Sequence, residues 1–170
     1  MVDGADLAAL VPDLSAAQVA RIRAAATAVE AVRLPEDTFR WGWWPDNLRK
    51  DPVASHIQFV VVGTSLRLFW SASDWLELAL SVAREESPRL TVSATIEVAC
   101  WCDPDHNMHV VRSEERLVGT AAALTEAFES AADAVVRWAG ESHDPLVVRA
   151  AAGLPNPQPQ QVRSAADPCT

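Results

Sequence analysis

The sequence predicts an α+β domain in which helices pack mainly on one face of an antiparallel sheet of about five strands. The most informative stretch is Leu90 to Cys102, where apolar residues alternate with mostly polar ones along the whole run. Successive side chains of a strand point to opposite faces, so this alternation predicts a long strand with one buried face. The predicted order is helix, three strands, helix, two strands, helix, and strand runs interrupted by helices are typical of α+β folds.

Before this strand, the chain predicts one helix and then three strands. Ser15 and Gln18 have the spacing of a capping box, in which each side chain satisfies a backbone amide at the start of a helix. The helix is expected to end before Pro35, because the residue that precedes a proline avoids the helical conformation. The strands are predicted at Thr38–Trp44, His56–Val62 and Leu66–Ser71, with the last two joined by a turn at Gly63 to Ser65.

A second helix is predicted to start at Asp74. Asp74 and Glu77 again have the capping-box spacing. Trp75, Leu78 and Val82 recur at helical intervals and predict its apolar stripe. This helix would separate the first three strands from the long strand.

A return strand and a third helix are predicted after the long strand. Residues 103–107, with the sequence Asp-Pro-Asp-His-Asn, favour a chain reversal. Met108 to Val118 is predicted to form the second strand of a long hairpin. Thr120 is placed to start the third helix and Gly140 to end it. The apolar stripe between these two residues indicates the face that packs on the sheet.

The chain of 170 residues is expected to form a single domain at 15–150. A flexible lead-in is expected at 1–14. A tail at 151–170 is rich in Pro and Gln, a composition typical of disordered segments. Leu146 to Val148 is expected to pack back on the domain as a short strand or as a turn of helix, and the residues leave both alternatives open.

The composition excludes several classes of partner. The formal net charge is −9, and binding to phosphates or to anionic membranes requires basic side chains, so neither nucleic acid nor a membrane is expected as a partner. No apolar run approaches the length of about 18 residues that a membrane helix needs. The acidic start of the chain is unlike a signal peptide, and three Cys residues do not make a disulfide framework. A cytoplasmic location is therefore predicted.

A metal site is one alternative function. Cys100, Cys102, His106 and His109 are close in sequence, and zinc takes thiolate and imidazole ligands in a tetrahedral arrangement. The strongest zinc spacing has two residues between cysteines, whereas these two are separated by one residue and continue an aliphatic row, as small buried side chains do. A metal sensor or a metal-dependent enzyme built on these residues is kept as the alternative, and no cofactor is predicted.

The tryptophans supply a candidate contact surface. The chain has seven Trp and no Tyr. Trp44 and Trp101 point away from the main apolar faces of their predicted strands, and indole side chains are frequent at protein contacts. With the acidic residues Glu114 and Glu115 of the return strand they form the predicted binding surface, for which a basic protein is the complementary partner. A Trp-lined pocket for a small ligand is a further alternative.

The sequence lacks the motifs that identify common enzymes. It has no phosphate-binding Gly loop, no nucleophile elbow and no HExxH motif. Glu114 and Glu115 do not form an acid–base pair, because adjacent residues of a strand face opposite ways. A protein without enzymatic activity is therefore predicted.

The predicted order of elements resembles that of the YbjN-like proteins and of the type III secretion chaperone-like fold. The resemblance is carried by Asp74 to Trp138, with a capped helix, the long strand, the Asp-Pro-Asp turn, the return strand and the helix near Thr120. It is a resemblance of pattern and length, and it implies a protein that binds another polypeptide and often dimerises. The predicted function is a chaperone-like or regulatory protein-binding module. An immunity protein that neutralises a toxin is one version of it, and a homodimer is one expected state.

Overall fold

The structure is a computed structural model that describes residues 11, 13–34, 38–45, 59–71, 74–84, 89–103 and 106–154. Within these ranges, the side chains of 38–45, 59–61, 71, 100–103, 106 and 107 lie outside the description. Residues 155–170 of the predicted tail and most of the predicted lead-in also lie outside the described residues. Of the helices that are described, none combines the length and the hydropathy that crossing a membrane requires.

The α+β class, with an antiparallel sheet and three helices, is confirmed. The elements in chain order are α1 (Ala16–Glu30), β1 (Thr38–Pro45), β2 (Phe59–Ser71), β3 (Asp74–Arg84), β4 (Leu90–Asp103), β5 (His106–Val118), α2 (Ala121–Ala139) and α3 (Pro145–Ala151). The strands lie in the sheet in the order in which they occur along the chain, and each pairs with its neighbour antiparallel. The sheet is therefore a meander. Along the chain, α1 precedes its strands, and α2 and α3 follow them.

The predicted helix at Asp74 is wrong, because this segment is the strand β3. Leu76, Leu78, Leu80 and Val82 are fully buried while the residues between them are mostly half-buried, which is the two-residue period of a strand. Leu78 and Val82 fit the helical and the strand period equally well, so the capping-box spacing misled the prediction. The structure pairs this segment on both sides, with β2 and with β4.

The predicted turn at Gly63 to Ser65 is also wrong. These residues lie inside one continuous strand, β2, where Gly63 pairs with Ser81, and Thr64 and Ser65 are buried. Gly and Ser favour turns when they are read locally, but both flanking segments have a strand pattern and the ladder runs through them. The chain reverses instead where Ser71 pairs with Asp74. The predicted order of elements is therefore wrong between residues 63 and 84.

Several other local predictions agree with the structure, whereas the predicted turn at 103–107 is too long, because Asp103 belongs to β4 and His106 and Asn107 belong to β5. The Ser15–Gln18 capping box opens α1, and the Thr120 hydroxyl accepts a hydrogen bond from the Ala123 amide at the start of α2. Gly140 follows the end of α2 as its cap. The long strand and its return strand are present as β4 and β5. Leu146 to Val148 falls within α3, so the helical alternative is confirmed there.

The hydrophobic core lies between one face of the sheet and the helices. Alternate residues of β2, β3 and β4 form aliphatic rows on this face, which we call the helix side, and β5 adds Val118. Helix α1 adds Ile22 and Val29, and α2 adds Phe128 and Trp138. Burying such side chains stabilises a fold by about 1.5–3 kcal/mol each, so this single layer fixes which face of β2, β3 and β4 is turned inward.

Helix α3 is attached to the end of the sheet by polar contacts. Arg149 donates a hydrogen bond to Asp74 over 2.8 Å, and the two side chains are only 11% and 16% exposed. The Trp70 indole donates to the His143 carbonyl over 3.2 Å just before α3. Burial raises the pKa of the Asp74 carboxyl, although Arg149 acts to lower it. The cost of removing this carboxylate from water is thus only partly offset by the ion pair.

We expect Asp74→Ala to lower the free energy of unfolding by on the order of 3 kcal/mol, because the substitution removes both the charge and the hydrogen-bond acceptor that face the buried Arg149 guanidinium. Chemical denaturation measures this change. Glu141→Ala is the matched control, since it breaks the exposed Glu141–Arg112 pair and is expected to change stability by less than about 1 kcal/mol. Equal effects of the two substitutions would show that the Asp74–Arg149 pair contributes no more than a surface contact.

Candidate functional site

The face of the sheet opposite the helix side carries a cluster of charged side chains; we call it the open face. Directly opposite residues of antiparallel strands lie on the same face. Arg67 pairs with Glu77, Glu77 with Glu97, and Glu97 with Val110, so these four residues form one row across β2, β3, β4 and β5. The carboxylates of Glu77 and Glu97 are therefore neighbours on the open face of the sheet.

Arg67 satisfies one of the two carboxylates. Its Nε donates to Glu77 Oε2 over 2.6 Å, and the guanidinium carbon lies 5.7 Å from the centre of the Trp75 ring. Phe69 and Trp75 lie in the next row with their ring centres 6.0 Å apart. Arg67 is thus held between a carboxylate and an indole, an arrangement that stabilises a cation by charge and by the ring quadrupole together.

Glu97 has no such partner. It is half-buried, and among the residues that the structure describes its side chain makes no hydrogen bond or ion pair. Burial raises the pKa of the Glu97 carboxyl, and the neighbouring charge of Glu77 raises it further. A partly desolvated carboxylate without a counter-charge costs stability, because neither water nor protein replaces its hydration fully.

Small and apolar side chains surround this charge. Ser81 and Ser93 pair across β3 and β4 with their hydroxyl oxygens 2.9 Å apart. Toward β5 the open face carries Val110 and Leu117, which are 58% and 51% exposed. Short side chains let another backbone approach a sheet closely, and exposed aliphatic groups beside charges are typical of protein contact surfaces.

The structure divides the predicted binding surface between two faces. Glu115 pairs with Ser93 and so lies on the open face, whereas Glu114 pairs with the buried Ala94 and lies on the helix side, where it accepts a hydrogen bond from Arg137 over 3.1 Å. Trp44 pairs with Gly63 in β1, and Trp101 lies in β4. The side chains of both tryptophans are outside the described part, so their exposure stays a prediction.

The predicted metal ligands lie at one end of the β4–β5 hairpin. Ala99 pairs with Met108 and Asp103 with His106, and these pairs bracket Cys100 and Cys102. His109 pairs with the buried Val98. The described side chains contain no cluster of three metal-ligating groups, but those of Cys100, Cys102 and His106 are not among them. The metal site therefore stays a prediction.

The sequence alone does not predict the charged row of Arg67, Glu77 and Glu97. Glu97 is visible in the sequence only as a single charge among Thr and Ser residues on the polar face of the long strand. Its neighbour Glu77 falls in the predicted helix that starts at Asp74. Arg67 falls in the predicted strand Leu66–Ser71, which is expected to pair with the strand before it. The signal that brings them together is the alternation of Leu76, Leu78 and Leu80, which identifies β3 as a strand.

No protein-family model, curated protein or solved structure matches this chain. The resemblance to the YbjN-like proteins therefore stays a prediction. The capped helix with which the resembling stretch was expected to begin is strand β3 in the structure.

We expect Glu97→Gln to stabilise the protein at neutral pH. With its pKa raised in the folded state, Glu97 binds more protons there than in the unfolded chain, so the free energy of unfolding falls as the pH rises through that window. Removing the charge should raise the melting temperature at pH 7 by about 2–4 °C, corresponding to at most about 1 kcal/mol for a partly exposed group.

Thermal unfolding from pH 3 to pH 8 measures this effect. The gain should disappear below about pH 4, where Glu97 is protonated in both states. Glu115→Gln is the control on the same face, and its effect should stay within about 0.5 kcal/mol. A Glu97→Gln variant that is less stable than the wild type at pH 7 would mean that the carboxylate has a stabilising partner.

Proposed function

We propose that this chain is a non-enzymatic module that binds another protein, and that its open face receives a basic side chain of that partner beside Glu97. The observation that carries the proposal is the half-buried Glu97 carboxylate next to Glu77, which forms no ion pair with any residue of the described part of the chain. The proposal takes the sheet as five-stranded, with β1 as its outer strand. A cytoplasmic chaperone-like, regulatory or immunity protein fits this activity.

Charge complementarity argues for a basic partner. In the row Arg67–Glu77–Glu97 the signs run plus, minus, minus, so one further cation next to Glu97 would give each of the two carboxylates a counter-charge of its own. The net charge of −9 acts in the same direction, because it attracts basic surfaces over longer distances. The attraction between Glu97 and a cation of the partner would offset the hydration energy that Glu97 has lost on burial. A partly buried ion pair adds affinity under this condition.

The shape of the surface argues for a protein rather than a small molecule. The row lies on a sheet face with exposed Val110 and Leu117 nearby, and exposed aliphatic groups beside charges are typical of protein contact surfaces. The cavity lined by Val29, Thr64, Leu78 and Val135, between the sheet and the helices, has a volume of about 10 Å³, about the space of one water molecule. Small-ligand binding stays an alternative to which the described cavity adds no support.

Metal binding is the second alternative, because backbone pairing brings Cys100, Cys102 and His106 to the same end of one hairpin. Elemental analysis of protein purified without chelator tests it. Stoichiometric zinc that is lost in Cys102→Ser would favour a metal sensor or enzyme over the proposed module.

The proposal is tested by affinity capture from a lysate of the native organism with wild-type protein, Glu97→Gln and Asp133→Asn. Asp133 is an exposed carboxylate of α2, so its substitution changes the net charge equally at a distant site. We expect a basic protein to be captured by the wild type and by Asp133→Asn but not by Glu97→Gln.

Titration calorimetry with the purified partner then measures the affinity. Glu97→Gln should weaken binding by about thirtyfold or more, since removing one member of a desolvated ion pair costs at least about 2 kcal/mol. The wild-type affinity should fall as the pH falls through the raised pKa of Glu97, and the variant should lack this dependence. A partner that binds Glu97→Gln as tightly as the wild type, or no partner in any lysate, overturns the proposal.

A further inference from the structure

The outer edge of β5 is a second surface, separate from the open face. β5 runs from His106 to Val118 at the end of the strand order, so within the described part of the chain one side of its backbone has no strand beside it. Unpaired strand edges are templates for the addition of another strand. Native proteins often place charges there to prevent addition, so the pattern of those charges decides which strand could pair.

The charges at this edge belong to exposed ion pairs on the helix side. Arg112 donates two hydrogen bonds to Glu141, over 3.0 and 3.1 Å, and its guanidinium carbon lies 5.4 Å from the centre of the Trp138 ring. Glu114 accepts from Arg137 over 3.1 Å. The four charged side chains are 44–57% exposed, so each of them can contact a further charge from outside.

These charges can be compared with the antiparallel pairings of two β5 strands whose two-fold axis passes through one of residues 112–116. An axis normal to the sheet keeps the helix sides of both copies on the same face of the joined sheet. A residue that precedes the central residue by a given number of positions then pairs with the residue of the other copy that follows it by the same number. Centres at Arg112, Glu114, Glu115 or Arg116 each place a like charge opposite itself. A centre at Ser113 instead places Arg112 opposite Glu114 twice.

We propose that two copies of this chain associate edge to edge through β5, paired antiparallel about Ser113. The pairing joins Glu141 and Arg112 of one copy to Glu114 and Arg137 of the other in a row of alternating charge, and the symmetry forms this row twice. Isolated exposed ion pairs add little, but networks of them add more. The same charges repel most other strands, so the edge is selective for a second copy.

The register of β5 limits the strength of this association. The pairing with β4 shifts between Ile96 and Glu97, which leaves Val111 as an extra residue on β5. Such a bulge increases the local twist and interrupts regular pairing. The regular contact is therefore short, and the structure predicts a weak dimer whose population depends on protein concentration.

Sedimentation equilibrium over a range of protein concentrations tests the inference. Wild-type protein should self-associate. Arg112→Glu and Glu114→Arg should each remain monomeric, because each puts like charges opposite one another in both pairs. An equimolar mixture of the two variants should associate again, because every glutamate then meets an arginine of the other copy. Each variant also loses an ion pair within its own fold, and that loss cannot be repaired by mixing.

Arg116→Glu is the matched control, since it reverses a charge on the same strand outside the Arg112–Glu114 pairs and should not weaken association. Circular dichroism confirms that each variant is folded. A wild type that is monomeric at all concentrations overturns the inference, as does a mixture that stays monomeric. Glu97→Gln should self-associate like the wild type, so this test and that of the proposed function can fail independently.

Discussion

The two-residue alternation of strands β2, β3 and β4 is the constraint on which the rest of this structure depends. Each strand must turn its aliphatic row to the helices, because these rows supply most of the sheet's share of the core. The alternate residues are then obliged to share the opposite face, whatever their chemistry. Arg67, Glu77 and Glu97 become neighbours through this obligation, although they are distant in sequence. The candidate site is therefore a consequence of the register that the core imposes.

The sequence predicts those parts of the fold where local and long-range signals agree. β4 and the helix that starts at Thr120 have one clear period each and were predicted with nearly correct bounds. β3 was mistaken for a helix because its apolar residues fit both periods and a capping-box spacing tipped the balance. Backbone pairing with β2 on one side and with β4 on the other makes this segment a strand. The Glu77–Glu97 contact could not be predicted, because it requires the register of two strands of which one was misassigned.

The two desolvated carboxylates of the described structure differ in what the fold provides for them. Asp74 is enclosed with Arg149, so its burial is partly offset and the pair attaches α3 to the sheet. Glu97 is also partly buried, but among the described residues it has a neighbour of its own sign and no ion-pair partner. A structural role explains the first arrangement and does not explain the second, which lowers stability in the free protein. Residues that cost stability in the free state are concentrated at binding and catalytic sites.

The two proposed surfaces reinforce one another through β5, which contributes to both. Its Val110 and Leu117 lie on the open face, while Arg112 and Glu114 lie on the helix side. Pairing about an axis normal to the sheet keeps both open faces on the same side of one continuous sheet. Two Glu97 sites would then face the same direction in a single assembly. A partner that presents two basic segments would bind such an assembly with an effective concentration set by their spacing, so a weak edge contact can raise the affinity of the open face without adding any contact to it.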